Sequence, residues 1–546
     1  MKGDTVSRAW VQCTEALEEF LSLSDMAIKF PKQNINPATD KDFALHPSIR
    51  ADDWFSQLQD KQETELFLSQ TRMSLQGLSY IFEQECVLSL VDAIGVSSDP
   101  DEFIAFLHSL IGASSVKKLF LGDVNIGEIE KAVECLVELI ACPENEIELL
   151  LLAGWNMGDK FRDFSLSLSR SNHLRVLDLS HCGIDNIQTG LVELCSVLRN
   201  TPLQELYLDE NTFGDDGAKL LSVALRQNPE LEVLSLKFCK ITPFGIINLL
   251  DALDSSSIQD SGDEISTGSV NTNLVQLFIV DMSTEGDDTQ LIRELAIQCS
   301  SMIEHNASLR ELDLSGHYFD TESGELIMRA LQRNQTLRKL NLSYTKRNWH
   351  SDQILFEFFQ ANRSVRSLHL RNHIPTPPTD GDSGTDHLVY SIPNDELLEE
   401  LFAWNMREDE FSLLCKGFAS NSTLQLLDLQ AMQLTDSTTE MLRSMMSSNK
   451  SIKELLIRTS PEVDMSDLFT VLTEGNVNAL TMSNLSREQG ENFVSLLKQK
   501  DNSSFTRISL SFVNGNVELD LWETLDDILS QKQQKNEAAQ SQFLFQ

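Results

Sequence analysis

The chain has 546 residues, with 83 Asp or Glu against 43 Lys or Arg, a formal charge of −40 at pH 7. That balance argues against binding DNA or RNA through phosphates, which takes clustered cations. Hydrophobic residues make up 41%, ample for a core, yet the richest apolar run, Ile147–Ala153, falls far short of a membrane span.

Residues 1–98 show no repeat. Val6, Trp10, Cys13, Leu17 and Phe20 share one face at helical spacing. Further helices are expected near Asp52–Ser69 and Ser74–Ala93, so this region reads as an N-terminal helical cap. Met1–Trp10 leads into no apolar run, and no secretory signal is expected. Nine cysteines without a C-x-x-C pair fit a reducing compartment, cytoplasmic or nuclear. Asp99-Pro100-Asp101-Glu102 then opens a helix, with Asp as N-cap, Pro in the first position and Glu three residues after the cap.

From Val116 onward one pattern recurs. In its clearest copy Leu203, Leu206 and Leu208 step as a strand, and Asn211 and Gly214–Gly217 make a turn. Ala218, Leu221, Ala224 and Leu225 follow at helical spacing up to Asn228-Pro229. The strand pattern restarts at Leu231, and fourteen such starts occur: Val116, Ile147, Leu174, Leu203, Leu231, Leu274, Leu309, Leu337, Val365, Leu398, Leu424, Ile452, Val477 and Phe505. Their modal spacing of 28 residues allows one strand and one full helix per unit. Two insertions interrupt the series. Residues 254–273 are Ser- and acid-rich and read as a disordered loop, with a conceivable phosphorylation site at Ser261. Residues 374–395 carry four prolines where a helix would stand. The domains expected are a cap over 1–98, a repeat array over 99–530 and a polar tail over 531–546.

The pattern resembles the long leucine-rich repeat of ribonuclease-inhibitor-like proteins. The resemblance implies an α/β fold: a right-handed β/α solenoid, a leucine-rich-repeat horseshoe with a parallel sheet on the concave face and helices on the convex one. It also implies that the residue three places after the last strand leucine satisfies backbone groups in the turn. That position reads Cys182, Asn211 and Cys239 in three successive repeats, but His317, Met406, Met432 and Leu485 farther on, so the C-terminal repeats are degenerate. Asn-x-Ser/Thr triplets at Asn306, Asn334 and Asn421 each precede a strand and read as helix ends in the left-handed conformation, not as glycosylation sites.

Alternation along each strand assigns the concave residues. The acids are Asp178, Glu205, Asp209, Glu311, Asp313, Glu400, Asp428 and Glu454; the bases are Lys118, Lys237, Lys339, Arg371, Arg458 and Arg507. The two sets nearly balance, so the net charge resides elsewhere. Phe120, Leu149, Leu151 and Val176 form an apolar patch, expected to lie under the cap. Lys339, His369, Arg371, Phe402 and Trp404 form a mixed patch with the composition of a binding hot spot. In it His369 should neighbour Phe402 and Arg371 should neighbour Trp404.

No phosphate loop, H-E-x-x-H, G-x-S-x-G or paired Cys/His spacing is present, so no catalytic residue, metal or cofactor is assigned. The reading is a non-catalytic protein–protein interaction scaffold. It uses the concave face and the C-terminal loop rim to bind a protein partner, with no nucleic acid and no membrane among its partners. Two alternatives are a regulator of a small GTPase, by similarity to Ran GTPase-activating proteins, and a substrate adaptor recruiting machinery through residues 1–98.

Overall fold

The computed structural model describes residues 27–28, 64–67, 88–95, 99–124, 129–185, 190–258, 270–280, 289–317, 319–344, 358–359, 361–371, 397–403, 405–500, 504–513 and 521–531. Two compact units divide the chain, residues 1–213 with 228–235, and residues 214–227 with 236–546. The first unit contains strands β1 (Ala27–Ile28), β2 (Thr64–Phe67), β3 (Leu88–Asp92), β4 (Lys118–Phe120), β5 (Leu149–Leu151), β6 (Val176–Asp178), β7 (Glu205–Tyr207) and β8 (Val233–Ser235). Each pairs in parallel with the next. The second unit contains β9 (Gln276–Phe278), β10 (Glu311–Asp313), β11 (Lys339–Asn341), β12 (Ser367–His369), β13 (Glu400–Phe402), β14 (Leu426–Gln433), β15 (Glu454–Arg458), β16 (Ala479–Leu485) and β17 (Arg507–Phe512). These too pair in sequence, all parallel. Helices such as Ile129–Ala141 and Thr289–His305 return the chain between strands. The architecture is a leucine-rich-repeat β/α solenoid.

From β4 to β17 every strand starts two residues after the apolar position marked in the sequence. The leucines turn inward as alternation requires: Leu206 and Leu208 are fully buried and Leu203 nearly so. Asp99 caps the helix Pro100–Leu110, accepting a hydrogen bond from Asp101 N at 3.0 Å.

Two expectations for residues 1–98 are corrected. Thr64–Phe67 and Leu88–Asp92, placed in helices by the sequence reading, are strands, and β3 pairs with β4 one repeat before the array was expected to start. The rest of the proposed cap lies outside the described residues. The loop expected over 254–273 is shorter than its composition suggested, because Ser255–Ile258 forms a 3-10 turn and Asn271 is buried. The insertion 374–395 and residues 532–546 lie outside the described residues.

Two hydrogen-bond ladders join successive repeats. The first runs just past the strands. Asp123, Gly154, His181 and Glu210 in the first unit, and Phe238, Gly316, Tyr344 and Asn484 in the second, stand five residues after a strand start and have positive φ. The N–H groups of Asp123, Gly154, His181, Phe238, Gly316 and Tyr344 donate to the following repeat, as from Gly154 to Ser180 O (2.8 Å) or from Tyr344 to Arg371 O (2.7 Å). Glycine suits Gly154 doubly, since at φ +85° a Cβ there would come within 2.5 Å of Asp123 Oδ1.

The second ladder lies where helix gives way to strand. Asn334 Oδ1 accepts from the N–H groups of Thr336 (2.8 Å) and Leu337 (2.7 Å), while its Nδ2 donates to Ile303 O one repeat earlier (2.6 Å). Asn306 and Asn449 repeat this pattern in the second unit, and Asn228 in the first. The hydroxyl two residues on adds a link, as Thr336 Oγ1 donates to Asn306 O (3.3 Å) and Ser451 Oγ to Asn421 O (3.1 Å). The Asn-x-Ser/Thr triplets are therefore structural, with buried amides that leave no room for a glycan. The left-handed conformation expected of them is corrected: Asn334 has φ −69° and ψ 141°, because its side chain, not a backbone turn, satisfies the free groups.

The turn residue can end a strand, although Met406 follows a three-residue strand without such groups. Asn211 donates to Leu179 O and Leu208 O and accepts from Cys182 N and Ile184 N, ending the strand after three residues. Met432 and Leu485 offer no such groups. Their strands run on for 8 and 7 residues and pair with the next strand through a register shift.

Replacing Asn334 with Ala strands one carbonyl and two N–H groups in the interior. Chemical denaturation should show a loss on the order of 2–3 kcal/mol. A change within about 0.5 kcal/mol, the range of a neutral surface substitution, would contradict this account of the ladder.

Candidate functional site

The mixed patch lies on the face of the second unit's sheet turned away from the helices. Register places Asn341 opposite His369 and His369 opposite Phe402. The two rings stack at 3.8 Å between centroids and 20° between planes, both half-exposed. Ser367 Oγ donates to Glu400 Oε2 (2.6 Å) and lies 3.0 Å from His369 Nε2, so the imidazole Nε2–H is the donor in that contact. Burial, with the charges of Lys339 and Arg371 nearby, lowers the His369 pKa to about 3, so the ring is neutral at physiological pH.

Arg371 is placed differently from the expectation. Its guanidinium lies 5.5 Å from the Phe402 ring centroid and pairs with Asp428, whose side chain is fully buried. Its expected neighbour, Trp404, lies outside the described residues. Lys339 Nζ pairs with Glu311 at 2.9 Å and is 41% exposed. The structure thus gathers Lys339, His369, Arg371 and Phe402 on three neighbouring strands or their ends.

The acids of the open faces accept hydrogen bonds within each unit, three of them from cations and the others from neutral groups. In the second, Lys339, Arg371 and Arg507 pair with Glu311, Asp428 and Glu454, and Asp313 accepts from Asn341 Nδ2 at 2.9 Å. In the first, Asp209 accepts from Ser235 Oγ (2.6 Å), Glu205 from Tyr207 OH (2.8 Å) and Asp178 from Ser180 N (2.8 Å). All eight acids expected there have a hydrogen-bond or ion-pair partner, Glu400 accepting from Ser367 Oγ.

Asp178 stands apart from the rest. It is buried, and burial chiefly, together with Asp209 and Asp123, raises its pKa to about 6. Beside it in the first unit, Leu149 pairs with Val176 and Phe120 with Leu151, forming the expected apolar patch, of which Phe120 is buried and the other three half-exposed. What was assigned to cover this patch lies outside the described residues. Cys182 and Cys239 are buried, and burial pushes the Cys195, Cys299 and Cys415 thiols up to about 12. His317 takes the turn position, buried, with Nε2 2.8 Å from Ile279 O. Among the described residues, no group of three or more His, Cys, Asp or Glu could hold a metal ion, and no helix is long and apolar enough to cross a membrane.

Sequence reasoning missed the bond between Arg371 and Asp428, because one whole strand, β13, lies between their positions and only coordinates show the guanidinium reaching past Phe402. It also missed the positive-φ column, although aligned repeats reveal it through Gly95, Gly154 and Gly316.

Repeats of this length, with a parallel sheet and turn residues of the Asn or Cys type, define a leucine-rich-repeat protein of the ribonuclease-inhibitor-like kind, and comparison supports that class. The family model described as Leucine Rich repeat matches residues 170–187, 199–222 and 305–328. Ribonuclease inhibitor from Mus musculus is 28% identical over 158 residues, 26% of this chain and 33% of the inhibitor. That from Sus scrofa is 31% identical over 163 residues, 28% of this chain and 34% of the inhibitor. The match thus spans about a third of each relative. Among solved structures, the yeast Rad7 and Elc1 complex aligns at 16% identity and TM-score 0.38, covering 71% of this chain and 90% of that one. Leiomodin-1 actin-binding site 2 aligns at 16% and 0.25, covering 30% and 100%. The repeats fit a protein-binding scaffold.

Two measurements check the electrostatics. Arg371→Ala leaves Asp428 buried and unpaired and should destabilise on the order of 3 kcal/mol; adding Asp428→Asn should recover part of the loss, and strict additivity would deny the coupling. For Asp178, the raised pKa means that stability falls as pH rises from about 4 through about 6. Asp178→Asn keeps the acceptor for Ser180 N without the charge. It should melt a few degrees higher than wild type at pH 7.5, with the gain shrinking toward pH 5. A gain independent of pH would contradict the assignment.

Proposed function

We propose that this chain is a non-catalytic protein-interaction scaffold whose partner docks on the open face of the second unit, at Lys339, His369 and Phe402, with Arg371 and Trp404 alongside. The observation that supports this reading is the half-exposed His369–Phe402 stack. On the same face Lys339, Arg371 and Arg507 are each paired with a carboxylate. A neutral stacked pair offers apolar area without the desolvation cost of an unpaired ion. Lys339 keeps its exposed stem at the border, and Arg371 supports the stack from below by holding Asp428. Partner selection on such a surface rests on shape and apolar contact rather than on net charge. Cytoplasmic residence belongs to the same reading, supported by the seven free cysteines among the described residues.

Affinity capture with mass spectrometry, comparing wild type with Lys339→Ala/Phe402→Ala, tests the site. Both substitutions leave the Arg371–Asp428 pair in place. The double variant should lose a specific protein partner while its melting temperature stays close to wild type, and wild-type capture should persist at about 0.5 M salt, where exposed charges are screened. Identical capture profiles for the two proteins would overturn the assignment. Faster phosphate release from a GTP-loaded small GTPase would transfer it to the GTPase-regulator reading.

A further inference from the structure

One loop of the second unit departs from the economy of the others. Phe238 and Lys240 both adopt left-handed backbone, at φ 57° and 58°, a conformation disfavoured for bulky side chains. At the equivalent turn other repeats place Gly154 or Gly316, polar Asp123, His181, Glu210 and Asn484, or Tyr344. Burial does not compensate for the ring, since the Phe238 side chain is 44% exposed. Six residues on, Phe244 is 56% exposed, the highest value of any large apolar residue among those described.

The charges of this loop are equally unusual. From Leu236 to Leu250 the chain has two lysines and no carboxylate, within a protein of net charge −40. Lys237 Nζ lies 4.9 Å from the Phe278 ring centroid. Lys240 is exposed and has no ion pair among the described residues. The carboxylate of Asp215, contributed by the adjoining helix Gly214–Gln227, is occupied as a cap. It accepts from Thr242 N (2.8 Å), Thr242 Oγ1 (2.7 Å) and Gly245 N (3.2 Å).

The left-handed backbone at Phe238 serves the ladder, its N–H donating to Val280 O at 2.6 Å, but the exposed rings of Phe238 and Phe244 point to a role outside the fold. We propose that Lys237–Phe244 is a docking surface for a partner-protein segment carrying an apolar side chain beside a carboxylate. The apolar group covers Phe238 and Phe244, and the carboxylate pairs with Lys240. This surface is independent of the open-face site, and neither needs the other.

The test uses the full chain and two sets of synthetic peptides of equal length, one alternating Glu with Leu and one alternating Lys with Leu, at physiological salt. Wild type should retain the acidic set over the basic one. Phe238→Gly should raise the melting temperature by about 2 °C, through release of strain, while weakening acidic-peptide binding at least about tenfold. Lys240→Ala should weaken the same binding without that thermal gain. A lower melting temperature for Phe238→Gly would show the ring serving the fold and would overturn the proposal. So would equal binding by wild type and variant, or equal retention of the two peptide sets. A wild-type dimer abolished by Phe238→Gly would assign the surface to a second copy of this chain and overturn it as well.

Discussion

Repeats such as that of Asn334 depend on a single side-chain amide that does the work of three backbone partners. A helix ends with free carbonyls and a strand begins with free N–H groups, and both must be satisfied where the chain passes under its own core. Asparagine alone among the residues at this position carries an acceptor and a two-proton donor on one short stem. Asn334 accepts from two amides ahead and donates to a carbonyl one repeat behind. That backward bond makes each repeat's closure contingent on its neighbour. Cooperativity along a unit is thereby carried by hydrogen bonds of fixed direction as well as by leucine packing.

The same logic explains why the open face is quiet. A parallel sheet with one face under helices leaves a row of side chains at about 4.8 Å spacing on the other. Like charges in such a row repel, so acids must find donors on nearby strands or along their own. Glu311 finds Lys339 on the next strand, while Glu454 finds Arg507 two strands away. Asp428, fully buried, needs the reach of Arg371 from two strands away. What remains unspent on the surface is aromatic rather than ionic, and the −40 of the chain resides elsewhere. An acidic overall composition therefore says little about what this face holds.

Much of this was legible in the sequence, and the limits of that legibility have physical causes. Strand positions were readable because leucine burial enforces a fixed offset, and all fourteen starts lie two residues ahead of a strand. The pairing of His369 with Phe402 was readable for the same reason, since parallel register is set by equivalent leucines. Reach was not readable: a guanidinium spans two strands, and alternation states only which face it leaves. Nor was the conformation of Asn334, because left-handed turn and side-chain bridge solve the same problem with the same residue type. Leu88–Asp92 was hidden because β3 has only the apolar run of a strand and no preceding repeat to set its phase.

The degenerate C-terminal repeats show that the turn residue acts as a stop and the leucines as the register. Where Asn211 stands, the strand has three residues and the chain leaves the sheet at once. Where Met432 and Leu485 stand, the leucine frame is kept but the stop is missing, and the backbone satisfies itself by continuing to pair. Leu434 N then donates to Arg458 O at 3.0 Å, and Leu485 pairs with Phe512. The register shift in each long pairing is the consequence. A frame that tolerates loss of its stops gains a broader sheet at little cost, since the added backbone bonds replace those the turn would have made. At these two repeats the open face widens where the stop is missing, while at Met406 the strand stays three residues long, so the stop is one of the terms that set the width and the leucines alone set the position.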